Sequence, residues 1–197
     1  MPLANTRARY GNVAMTLHWL IAGAVILNIC LGLYMVQILS DQDPARFAVV
    51  QIHKSVGLSV LVLSFVRLGW RLVNPVPPLP SSMSPWLKTA AHGTHFLLYF
   101  LIIAIPLTGW ALVSASPLGL PTSYFGTFNW PHIAFLADLP RAQKRPLQHE
   151  FAFLHIYLAF SAIFLIPIHV AGALYHQWRG EDVLRRMLPG TRIARET

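Results

Sequence analysis

The sequence predicts an all-α integral membrane protein, a four-helix bundle, and three observations lead there. Hydrophobic residues make up 55% of the 197, charged residues only 11%, and the mean hydropathy is +0.52, too apolar for a soluble domain of this length. Charged side chains are absent from Tyr10 to Ser40, from Thr89 to Ala137 and from Phe151 to Trp178, and the run from Phe47 to Val66 carries only Lys54. These runs are continuous rather than alternating, which favours helices over a barrel, the two forms that satisfy the backbone inside hydrocarbon.

Each element follows in order, as one membrane domain over residues 1–197. About 20 apolar residues cross a bilayer, and the first span is expected from Val13 to Leu39. Its run is too long for a removable signal and lacks a small-residue cleavage site, so it is read as retained. Asp41 to Arg46, with Pro44, is a polar turn that makes the second span, Phe47 to Leu72, an antiparallel neighbour. Asn74 to Pro85 contains Pro75, Pro77, Pro78 and Pro80 and reads as a stiff linker. The third span runs from Leu87 to Ser114 and the fourth from Gln148 to Trp178. Between them, Ala115 to Leu147 is long and rich in aromatic and turn residues, as expected of a lid. Pro106 and Pro167 are expected to kink their helices, and Gly57, Gly109 and Gly172 to permit close approach.

Orientation follows from the basic residues. Arg7, Arg9, Arg67, Arg71, Lys88, Arg179, Arg185, Arg186, Arg192 and Arg195 flank one side, against Arg46, Arg141, Lys144 and Arg145 on the other, ten to four. Both termini are therefore expected to face the cytoplasm. The net charge of +8 is thereby a topology signal, and nucleic acid is a poor explanation for it. Cys30 is the sole cysteine, which excludes an internal disulfide and a Cys-x-x-Cys-His haem attachment, so any haem would be non-covalent and b-type.

Four histidines, His18, His53, His155 and His169, lie inside these apolar runs, where an imidazole is costly without a partner. Fourteen residues separate His155 from His169, close to four turns, so both share a face and stand roughly 21 Å apart. The antiparallel topology sets His53 level with His155 near the outer side and His18 level with His169 near the inner side. Imidazole is a common ligand of haem iron, and bundles build cofactor sites from facing side chains. Two histidines per iron fill both axial positions, which suits electron transfer, and two such haems form a chain across the membrane.

His18-Trp19, Ile52-His53, Arg67 and Arg71, His92 and His95, then His155, His169 and His176, with the ending Arg185-Arg186-Met187-Leu188-Pro189, together resemble the bacterial cytochrome b561 family. The likeness covers about Met15 to Pro189. It implies a small dihaem protein of the inner membrane that carries electrons between the two faces, and one branch of the family oxidises superoxide and passes the electron to ubiquinone. It further implies that His18 and His169 ligate the inner haem and His53 and His155 the outer one.

Other residues carry two readings each. His92, His95 and His176 fall near the inner face, as contacts to a haem propionate or a quinone, or as interfacial polar residues. Arg67 and Arg71 share a helix face and suit propionate carboxylates, though ordinary anchoring explains them as well. Lys54 either snorkels to the headgroups or joins a basic outer mouth that draws in a small anion such as superoxide. His132 and His149 are read as solvated. The expected partners are membrane lipid, a quinone, and a small anionic donor or a redox protein at the outer face. Two other functions share the sequence features: an anchor subunit fed by a hydrogenase or dehydrogenase, and a haem-free transporter or channel.

Overall fold

A computed structural model describes residues 2–189, so Arg192 and Arg195 of the charge count lie outside the described residues. Four long helices dominate it: α1 (Asn12–Gln37), α2 (Ala45–Val73), α3 (Pro85–Ser114) and α5 (Arg141–Trp178). All four are long and apolar enough to cross a membrane. Between α3 and α5 lie a hairpin of β1 (Thr122–Tyr124) and β2 (Phe128–Trp130) and the short helix α4 (Ala134–Ala137). A 3₁₀ turn, Arg185–Met187, follows α5.

The connections show why the chain turns where it does. Arg46 donates to the carbonyls of Met35 (2.8 Å) and Leu39 (3.0 Å), satisfying acceptors that the end of α1 leaves open. Asp43 accepts from the Ala45 N–H at 2.8 Å and starts α2. Pro85 opens α3, where its missing N–H costs nothing. Pro106 and Pro167 lie within α3 and α5, and both helices run on past them. The fourth span begins at Arg141, well before Gln148. Its extra turns carry Arg141, Gln143, Lys144 and Arg145, polar residues that stand outside the apolar run.

Backbone packing joins α1 to α2, α2 to α3 and α3 to α5, whereas α5 has no comparable contact with α1 or α2. The bundle is therefore open between α5 and the first two helices. One end of it is woven shut by the segments around both termini. Asn5 donates to Pro75 O at 2.9 Å and accepts from Gly11 N–H at 2.9 Å. A side chain on Gly11 would run into the backbone oxygens of Leu3 and Ala4, so this crossing requires glycine. Trp19 donates to Met187 O at 2.7 Å, and Arg186 to Pro78 O at 2.6 Å.

The hairpin closes the other end. Thr122, Ser123 and Tyr124 pair with Trp130, Asn129 and Phe128. Gln51, Ser55 and Ser59, one turn apart on α2, hold it down. Gln51 accepts from Ser123 N–H (3.1 Å), Ser55 donates to Ser123 O (3.2 Å) and accepts from Phe125 N–H (3.0 Å), and the Ser59 and Tyr124 hydroxyls meet at 2.9 Å. On α3, Trp110 donates to Pro131 O and Ser114 accepts from Ile133 N–H, both at 2.9 Å. The expected lid is thus a structured hairpin pinned to two helices.

Candidate functional site: two levels of paired histidines

His53 on α2 and His155 on α5 face one another beneath the hairpin, ring centroids 6.2 Å apart and planes at 79°. Toward the terminal end, His18 on α1 and His169 on α5 lie 6.3 Å apart at 67°. Each pair joins α5 to a helix against which its backbone is otherwise little packed.

The hairpin-end pair is held in the same way on both sides. His53 Nδ1 lies 3.2 Å from Asn28 O on α1, and His155 Nδ1 lies 2.9 Å from Ile105 O on α3. A carbonyl only accepts, so each Nδ1 carries the proton and each Nε2 keeps its lone pair. A glycine stands one turn beyond each of these carbonyls. A Cβ on Gly32 would lie 3.4 Å from the His53 ring, and one on Gly109 would lie 3.1 Å from the His155 ring. Thr108 Oγ1 adds a contact to His155 Nδ1 at 3.3 Å. These clasps orient the ring and fix its tautomer, as partners behind a metal-binding histidine do. Gly109 was anticipated as a close-approach glycine, whereas the carbonyls of Asn28 and Ile105 were not, since an acceptor on the main chain leaves no mark in residue type. Gly57 meets the Asn28 side chain, and Gly172 meets no atom within 4 Å.

The terminal-end level holds more groups. His95 of α3 lies 5.2 Å from the His169 ring, nearer than His18. Arg67 donates to Tyr99 Oη at 3.1 Å and to Ala14 O at 2.9 Å. The guanidiniums of Arg67 and Arg71 both lie over the Tyr99 ring, at 5.8 and 5.5 Å. Tyr10, just before α1, joins them, and burial raises its pKa above 10.0. A cavity of about 480 Å³ opens beside this cluster, lined by Arg71, His92, His95 and Tyr99 at its polar end and by Phe100 and Leu107 further along α3.

His176 stands apart from that cavity's lining. It is buried at the end of α5, two turns below His169 on the same face, with Nδ1 2.5 Å from Glu181 Oε2. Ser82 donates to the other carboxylate oxygen at 3.0 Å. The hydrogen bond with His176 holds the Glu181 carboxyl below its ordinary 4.5.

At the hairpin end, Lys54 donates to Pro121 O at 3.1 Å, so it is tied into the loop and does not simply snorkel. Arg141 and Arg145 line a second cavity of about 590 Å³ with Pro117 and Leu118. Among the described residues, both ring nitrogens of His132 are buried without a hydrogen-bond partner, which overturns the solvated reading.

Long apolar helices with imidazoles paired at two depths define a helical membrane protein. The model of the prokaryotic cytochrome b561 family matches residues 9–190, and the chain belongs to that family. It is 38% identical to cytochrome b561 homolog 2 of Escherichia coli (strain K12) over 191 residues, covering 95% of each chain. It is 29% identical to the probable superoxide oxidase CybB of Yersinia pestis, over 93% of this chain and 98% of the relative. Identity to cytochrome b562 of Cereibacter sphaeroides is also 29%, over 91% and 96%. The chain is therefore a bacterial membrane protein of transmembrane electron transfer, and its family implies b-type haem.

Proposed function

We propose that the chain moves single electrons across the bacterial inner membrane to a quinone, in its most concrete form oxidising superoxide and reducing ubiquinone. Two b haems are held, one by His53 with His155 and one by His18 with His169. The observation that carries this reading is the equal spacing of the two pairs. Two metal–imidazole bonds of about 2 Å, with half a ring on either side, come to about 6 Å between centroids. The 6.2 and 6.3 Å separations match that span, whereas the 5.2 Å between His95 and His169 is a direct edge contact. The gap between α5 and the first two helices supports a flat group lying there.

The haem supplies one-electron chemistry at iron, and the chain's residues do the rest. His53 and His155 present Nε2 in fixed orientation. Arg67 and Arg71 offer forked donors to propionates. The cavity lined by Arg71, His92, His95 and Tyr99 suits a quinone head, its apolar end taking the tail. His92 and His95, which line that cavity, can supply the proton that a reduced quinone oxygen needs. At the hairpin end, Arg141 and Arg145 make an entrance that favours an anionic donor. Both termini then face the cytoplasm, in keeping with the positive-inside rule.

The test is superoxide-driven quinone reduction by the isolated, haem-loaded protein. Turnover without any added subunit supports the oxidase reading. Haem-loaded protein that is inactive until a dehydrogenase or hydrogenase subunit is added would assign it to an anchor role instead.

A further inference from the structure

The two histidine pairs are not held alike. At the hairpin end each ring donates from Nδ1 to a main-chain carbonyl, His53 to Asn28 O at 3.2 Å and His155 to Ile105 O at 2.9 Å. At the terminal end neither the His18 nor the His169 ring has a hydrogen-bond partner among the described residues. Trp19 and His95 pack on those two rings, at 5.1 and 5.2 Å between centroids. Ala14 O, one turn before His18, already accepts the His18 N–H within α1, and Arg67 takes its remaining lone pair at 2.9 Å. The acceptor one turn back is therefore spent. Charge divides the levels in the same direction. Arg67, through Ala14 O, stands one turn from His18, and its guanidinium and that of Arg71 lie over Tyr99, one turn beyond His95. No carboxylate pairs with either arginine among the described residues. At the hairpin end Lys54 follows His53, and its ammonium is tied to Pro121 O in the loop at 3.1 Å.

We propose that Asn28 and Ile105, through their carbonyls, hold the haem of the hairpin-end pair at a lower midpoint potential than the haem of the terminal-end pair, where Arg67 and Arg71 act the opposite way. An imidazole that donates from Nδ1 is a stronger electron donor at Nε2, which favours ferric iron. A nearby guanidinium disfavours the extra positive charge of ferric iron and, where it holds a propionate, neutralises a carboxylate that would favour it. Single electrons therefore run downhill from the hairpin end to the terminal end. The electron released by oxidation at one level is the one that reduces the other, with no further oxidant or reductant. The inference rests on the haem reading above and adds to it a direction set by the main chain.

The experiment is a spectroelectrochemical titration of purified full-length protein with its haem. His18→Ala keeps the hairpin-end haem and His53→Ala the terminal-end one, which assigns the two wild-type midpoints. The hairpin-end midpoint should be the lower. Gly109→Ala, whose Cβ would stand 3.1 Å from the His155 ring and press it off Ile105 O, should raise the hairpin-end midpoint in the molecules that keep that haem and leave the other unchanged. Arg67→Leu should lower the terminal-end midpoint alone, and Arg67→Lys, which keeps the charge, should restore most of it. If a single-haem variant misfolds, Gly109→Ala and Arg67→Leu assign the midpoints instead, because each moves one of them. If Gly109→Ala retains no hairpin-end haem, the order in the single-haem variants decides. A hairpin-end midpoint equal to or above the other overturns the proposal, as do unshifted midpoints in the folded Gly109→Ala and Arg67→Leu variants, and either result leaves the haem reading intact. Both haems surviving in His53→Ala overturns the haem reading itself.

Discussion

Replacing Gly109 by alanine would put a Cβ 3.1 Å from His155 Cε1 and 3.2 Å from its Nδ1, closer than real Cβ atoms normally approach. Helix propensity alone would gain about 1 kcal/mol from that change, because glycine is a poor helix former. Relieving the clash moves the imidazole by a few tenths of an ångström, off Ile105 O and off the axis toward His53. Overpacking costs about 1–3 kcal/mol, and a weakened hydrogen bond adds about 0.5–1.5 kcal/mol. The net loss of roughly 0.5–3.5 kcal/mol falls on the loaded site, a weakening of the hold on one haem by about 2- to 300-fold. Gly32→Ala is the internal control: its Cβ would meet the His53 ring at 3.4 Å, an ordinary contact, so the propensity gain stands. Haem per chain after extended detergent dialysis reads both variants. Gly109→Ala should lose hairpin-end haem while Gly32→Ala keeps the wild-type content. Equal retention in the two variants would refute the clasp argument.

Further expectations concern the other level and the lid. His18→Ala and His169→Ala should each remove the terminal-end haem and spare the other, read as one surviving midpoint potential. His95→Ala should keep both haems, since its ring is too near His169 for an iron between them. Glu181 has a carboxyl pKa below its ordinary 4.5, so its bond with His176 contributes stability fully present above 4.5 and lost as pH falls through the folded value. Thermal melts of the wild type should therefore lose this contribution on acidification, and Glu181→Gln should start lower at neutral pH with a flatter acid slope. Ser55→Ala removes a hydroxyl that both donates to and accepts from the hairpin backbone, and should speed hydrogen exchange at Phe125 without altering α2.

Much of this was legible in the sequence because a bilayer restricts what a chain can do. Uninterrupted apolar runs located α1, α2 and α3 closely. Near four helical turns between His155 and His169 gave two depths before any packing was known. The start of α5 escaped because Arg141, Lys144 and Arg145 read as loop by polarity, although a helix continues readily into water. The hairpin was hidden too: β1 and β2 are three residues each, too short for a period-2 pattern, and Gln51 and Ser55 of α2 supply their anchoring. His132 misled for the same reason. Its neighbours Pro131 and Ile133 are held by Trp110 and Ser114, far away in sequence. The 2.5 Å contact of His176 with Glu181 and the approach of His95 to His169 depend on how helix ends settle, which spacing alone does not set.

The proposed function stands on two imidazole pairs holding two haems. Haem per chain, measured alongside a reduced-minus-oxidised spectrum of the purified protein, tests it most directly. Two paired sites give a b-type band and two haems per chain, falling to one in His53→Ala. A haem-free protein, or a His53→Ala variant with its full complement, would contradict it.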